Sequence, residues 1–108
     1  MNSIVISGRI AGRDASKKDV AGTSVVSFSV SDSRKVKGEW QTTFFDVDLW
    51  GTRGDAILPL LTKGSNVVVV GELQAPVVKG EKTYLRVRAN DVHLVRDKAE
   101  ASPDAMPF

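Results

Sequence analysis

A chain of 108 residues with a formal net charge of +2 has room for one domain and no second core. The absence of cysteine excludes disulfides and thiolate metal sites and fits a reducing, cytoplasmic setting. With one histidine the commonest general base is nearly absent too, so neither an enzyme nor a cofactor is expected.

Hydrophobic residues recur mostly with period two, the mark of half-buried strands. The opening MNSIVISGRI has no basic stretch before its apolar part and no cleavage-like site after it, so it reads as a strand, with Ile4, Ile6 and Ile10 alternating. Arg13 to Gly22 is polar and reads as an extended loop or hairpin tip. From Thr23 to Ser31 the alternation is clean: Val26, Phe28 and Val30 point inward, Ser27, Ser29 and Ser31 outward. Ser33 to Glu39 is a basic turn around Gly38. Gln41 to Trp50 sends Phe45, Val47 and Leu49 inward and Phe44, Asp46, Asp48 and Trp50 outward.

Gly51 to Leu61 is the one helix candidate, with Thr52 as N-cap and Lys63-Gly64 as its stop. Pro59 makes it short or irregular. Asn66 to Leu73 contains the run Val67–Val70, as expected of a strand covered on both faces. Ala75 to Lys82 reads as a second basic loop. Thr83 to Leu94 sends Leu85, Val87 and Ala89 inward and Tyr84, Arg86 and Arg88 outward. No apolar run nears the roughly 20 residues of a membrane span, so no membrane partner is expected.

Three strands, a short helix and two strands is the order of the OB-fold; an SH3-like barrel does not place a helix there. The expected class is therefore all-β: a five-stranded OB-fold barrel with one short helix between strands three and four, and a flexible C-terminal tail. The domain spans 1–96, where fourteen Lys/Arg face ten Asp/Glu; the tail, 97–108, carries one Lys and three acids. A mildly basic body suits an anionic partner, although such a balance also occurs by chance on ordinary surfaces.

Single-stranded nucleic acid is held by rings on which bases stack, inside a groove of Lys and Arg. Phe44 and Trp50 are outward on strand three, and Trp40 enters that strand beside Arg34, Lys35 and Lys37. Tyr84 follows Lys79 and Lys82, with Arg86 and Arg88 on the same face. Phe44 suits either base stacking or a subunit interface. Asp46 and Asp48 could in principle serve a metal or acid–base pair. They lack histidine partners, and neutralisation by Arg86 and Arg88 on the neighbouring strand is the simpler reading. His93, alone near a strand end, reads as a surface or interface residue.

The chain resembles bacterial-type single-stranded DNA-binding proteins over about residues 3–96. The resemblance is carried by NSIVISGRI, TTFFDVDLWG and above all LTKGSNVVVVGEL, and by the closing DAMPF. It implies sequence-independent binding and protection of single-stranded DNA in replication, recombination or repair, with Phe44 and Trp50 as stacking rings. Arg34 and Lys35 would fall near the loop between strands two and three. Val78 stands where an aromatic is often found.

The resemblance further implies a homo-oligomer, a tetramer rather than a dimer, in which the first strands pair between subunits through Asn2, Ile4 and Ile6. It also implies a tip, Asp104, Ala105, Met106, Pro107 and Phe108, that recruits replication and repair proteins. The tail of about a dozen residues reaches at most ~40 Å. The alternative is an adaptor resembling primosomal replication proteins, whose barrel mainly binds protein partners; two carboxylates on the phosphate-facing side point that way.

Overall fold

The computed structural model describes residues 2–95, with Lys82 described by its backbone alone. The elements run β1 (Ile4–Val20), β2 (Thr23–Val36), β3 (Glu39–Trp50), α1 (Thr52–Ile57), a 3₁₀ turn (Leu58–Leu60), β4 (Asn66–Leu73), β5 (Val77–Lys79) and β6 (Lys82–Val95). Strand order is β3-β2-β1-β4-β6-β5, and a parallel pairing of β3 with β6 closes β1, β2, β3, β6 and β4 into a ring. This is the expected five-stranded barrel, with its helix between the third and fourth strands. Closure removes the exposed edges that would otherwise template aggregation.

One core fills the ring. Ile6, Ile10, Val26, Phe28, Val30, Val47, Leu49, Leu61, Val67, Val69, Val87, Ala89 and Val92 are buried together. Among them Val26, Phe28, Val30, Val47 and Leu49 are residues that the period-two reading sends inward on β2 and β3, while Phe45, also expected inward, is half-buried against the core. Leu85, expected inward, is only half-buried.

Several segments expected as loops are strand. Residues 16–20 pair with β2 from Ser27 to Thr23, so Arg13 to Gly22 is mostly the far arm of a hairpin. Its turn is Ala21-Gly22, both at positive φ, as is Lys37-Gly38 between β2 and β3. Two consecutive positive φ values match the right-handed twist of paired strands, which is why two residues suffice at each turn. β2 and β3 accordingly stay paired out to Val36↔Glu39, and the supposed Ser33–Glu39 turn is nearly all strand. In the second basic loop, Val77–Lys79 pairs with Tyr84–Lys82 as a sixth strand outside the ring.

The helix also corrects the expectation. Gly51, not Thr52, occupies the N-cap, and the helix stops at Ile57, well before Lys63-Gly64. Pro59 stands within the 3₁₀ turn that follows, where a missing N–H costs least. Gly54 is buried against β2, since a Cβ there would come within 2.7 Å of Val26.

β6 serves two walls of the barrel. It runs parallel to β3 through Leu85–Ala89 and antiparallel to β4 through Val87–Val95, with an irregularity where Val70↔Asp91 is followed by Gly71↔Ala89. Asn90 is the extra residue of a bulge, and bulges bend a strand and increase its twist. The bulge also resets the alternation. Val87 and Ala89 are buried before it and Val92 after it, so His93 faces outward. Gly71 sits opposite, where a Cβ would collide with the Arg88 carbonyl.

The two faces of β4 differ. Val67 and Val69 are fully buried, while Val68 and Val70 are half-buried, so this strand is covered on one face and only partly on the other.

Candidate nucleic-acid interface

The outward face of β1, β2, β3 and β6 is built in cross-strand rows. Lys18 lies beside Val25 and Trp50; Ser16 beside Ser27, Asp48 and Arg88; Ala11 beside Ser29, Asp46 and Arg86. Alternation puts the β2, β3 and β6 side chains on one face, the irregularity between Ala11 and Ser16 brings those of β1 level with them, and register decides which of them meet.

The arginines each lean one row along. Arg86, level with Asp46, places its guanidinium 3.0 Å from Asp48. Arg88, level with Asp48, lies over the Trp50 ring, 5.3 Å from its centre. Ser27 donates its hydroxyl to Asp48 at 2.7 Å and Ser29 to Asp46 at 3.0 Å. The expected neutralisation therefore holds for Arg86 and Asp48. Arg88 instead makes a cation–π contact, which is worth about 0.5–1 kcal/mol at an exposed site.

The rings are exposed as their positions on the strands dictate. Phe44 is 59% exposed, Trp50 38%, Tyr84 39% and Trp40 71%. A cleft of about 400 Å³ opens on this face, lined in part by Arg13, Lys18, Lys79, Tyr84 and Arg86. An adjoining recess of about 430 Å³ lies between Phe44 and Tyr84.

Not every expected site residue gathers here. Arg34 pairs with Asp32, its NH2 group 3.2 Å from the carboxylate. It stands on the β2–β3 hairpin with Lys35, which is level with Trp40, and Lys37, which forms the turn. This arm carries its own cations and one ring beyond the cleft. Lys79 reaches the cleft from β5. The side chain of Lys82 and the whole tip, Asp104 to Phe108, lie outside the described residues.

Two cations were missed. Arg13 and Lys18 belong to the segment read as a polar loop, yet both line the cleft. No hydrophobic alternation marks residues 13–20, so only the return of this segment along β2, with Ser16–Val20 paired to it, reveals them. The neighbouring Lys17 is committed elsewhere, 3.2 Å from Asp55. Asp55 also accepts the Ser24 hydroxyl at 2.7 Å. That hydrogen bond first, and Lys17 second, hold its carboxyl below the usual range.

The expected oligomer residues also separate. Ile6 is 4% exposed and belongs to the core, so its side chain cannot form an interface. Ile4 is half-buried against the core. Asn2 is spent on β4: its amide donates to the Leu73 carbonyl at 2.6 Å, and its oxygen accepts from the Leu73 N–H at 3.1 Å. The most exposed large apolar residue of this strand is Val5, at 66%. Among the described residues no group of three or more His, Cys, Asp or Glu could hold a metal ion, and no helix is long and apolar enough to cross a membrane.

The family model described as the single-strand binding protein family matches residues 1–95. A single-stranded DNA-binding protein of Treponema pallidum (strain Nichols) is 40% identical over 103 residues, covering 88% of this chain and 58% of that protein. One from Borreliella burgdorferi is 32% identical over 78 residues, covering 68% of this chain and 52% of that protein. The chain thus spans a little over half the length of these two relatives. The crystal structure of a small single-stranded DNA-binding protein from Streptomyces coelicolor superposes with a TM-score of 0.72 at 24% identity. That match covers 93% of this chain and 95% of that one, and it shows a shared fold.

Proposed function

The chain belongs to the single-strand binding protein family, and from that premise we propose that it binds single-stranded DNA along the β1–β2–β3–β6 face. Membership makes it a binding protein rather than an enzyme. The observation that carries the reading is the exposed set Phe44, Tyr84 and Trp50 beside a cleft lined by Arg13, Lys18, Lys79 and Arg86. Bases stack on such rings whatever their sequence, at roughly 1–3 kcal/mol per base, while the cations follow the phosphates. Arg34, Lys35, Lys37 and Trp40 extend the path along the β2–β3 hairpin, and Lys82 continues it beside Lys79. The role is coating and protecting single strands in replication, recombination or repair, within the cytoplasm.

A homo-oligomer, with a tetramer favoured over a dimer, completes the reading. Its support is the exposed Val5 beside Val70 on one wall, and pairing of β1 with β2 that begins only at Arg9. Asp104 to Phe108 is proposed to recruit replication and repair proteins, on the strength of its sequence pattern.

Tryptophan fluorescence with oligo(dT) tests the reading, because Trp40 and Trp50 are the only tryptophans. Strong quenching is expected, with log affinity falling against log salt by about 0.7 per phosphate neutralised. No binding at low salt would instead favour the adaptor, in which Asp46 and Asp48 keep phosphate away.

A further inference from the structure

Of Asp46 and Asp48, the outward carboxylates of β3 level with arginines, only Asp46 is left without an arginine partner among the described residues. Arg86, level with it, turns to Asp48, and Arg88 covers Trp50. Among the described residues Asp46 keeps only the Ser29 hydroxyl, on Oδ1. It lines the recess between the Phe44 and Tyr84 rings. An uncompensated carboxylate repels a phosphate backbone, so what fits this spot is a base edge carrying N–H donors.

The geometry points to Asp46 as a specificity-determining residue: a base stacked in the Phe44–Tyr84 recess presents its edge to the carboxylate, which favours amino-bearing bases over thymine. Cytosine offers its N4 amino group and adenine its N6. Guanine offers N1–H and the N2 amino group side by side, a match for both carboxylate oxygens. Thymine offers a single N3–H flanked by O2 and O4, whose lone pairs face the carboxylate. The inference rests on the single-strand reading above and adds to it a base preference at one subsite.

The test compares labelled oligo(dC) and oligo(dT) of equal length, by anisotropy, on the full chain and on Asp46→Asn. Cytosine and thymine are similar in size, so the comparison isolates the edge. Asn keeps an oxygen for Ser29, and its amide can meet both O4 and N3–H of thymine. The ratio Kd(dC)/Kd(dT) is expected to rise on the order of tenfold in the variant, the discrimination of one good base-edge pair. Asp46→Ser, which also removes the carboxylate, moves the ratio the same way. Asp48→Asn, which releases Arg86 to the Asp46 level with it, is expected to move the ratio the same way but by less.

A ratio that stays put in both Asp46 variants, or moves toward cytosine, overturns the assignment while leaving single-strand binding intact. Absence of binding of either oligomer to the unmodified chain overturns the single-strand reading and this inference together.

Discussion

The barrel has two outward walls that expose apolar side chains, and they do so in different company. On the β2–β3–β6 wall, Phe44, Trp50 and Tyr84 stand among Arg86, Arg88, Asp46 and Asp48. On the β1–β4–β6 wall, Val5 and Val70 lie level with Asp91, and Ser7 and Val68 with His93. Rings beside guanidinium groups suit a flexible polyanion with flat bases, which needs stacking faces and cations at intervals. Small branched side chains with few charges suit a rigid protein surface, which is held by shape and burial. Exposed apolar area alone does not name a partner; its neighbours do.

The largest effect should come from removing rings on the first wall. Trp50→Ala and Phe44→Ala are each expected to lower single-strand affinity by about 1–3 kcal/mol, and the double variant by more. Val5→Ala, on the second wall, should leave affinity unchanged in the same anisotropy titration. Equal losses at Val5 and Trp50 would dissolve the division between the walls.

The converse experiment acts on association. Val70→Asp sets a charge at the centre of the valine wall, beside Val5 and Asp91. A Val buried in an interface contributes about 1.5–3 kcal/mol, so sedimentation should show the assembly shifted toward single chains. The barrel should still melt cooperatively, because Val70 is only half-buried. An unaltered assembly would remove this wall as the oligomer face.

The smallest effect concerns Asp55, which holds Lys17 away from the cleft that Lys18 lines. Its folded-state carboxyl lies below the ordinary value. The stability it contributes is therefore fully present above the unfolded value, and is lost as pH falls through the folded one. Asp55→Asn should melt slightly below the unmodified chain at neutral pH, and the two Tm values should converge in acid as pH falls from the ordinary carboxylate value through the lowered folded-state one. Single-strand affinity at neutral pH should not fall, since the substitution frees Lys17 rather than removing a cleft cation.

Local alternation determined much of this protein. Val26, Phe28, Val30, Val47 and Leu49 had to face one way and Phe44, Asp46, Asp48 and Trp50 the other, because successive residues of a strand point to opposite faces. That placed most of the inner core and the outward rings Phe44, Trp50 and Tyr84 before any partner strand was known, although Phe45 and Leu85, expected inward, are half-buried, and the run of elements indicated a five-stranded barrel. Residues 13–20 were illegible for the same reason: without apolar alternation, nothing local distinguishes a polar strand from a polar loop.

Tertiary structure alone decided the pairings. The bulge at Asn90 reverses the parity of β6, and it arises where pairing with β3 ends while pairing with β4 continues. The Ile6 side chain points into the core because β1 is a strand of the ring, paired edge to edge with β4. Arg86 reaches Asp48 across 38 positions of sequence, leaving Asp46 to the recess. Which row an arginine leans toward depends on the register of a parallel strand far along the chain. Periodicity fixes the face of a side chain, but only packing fixes its neighbour.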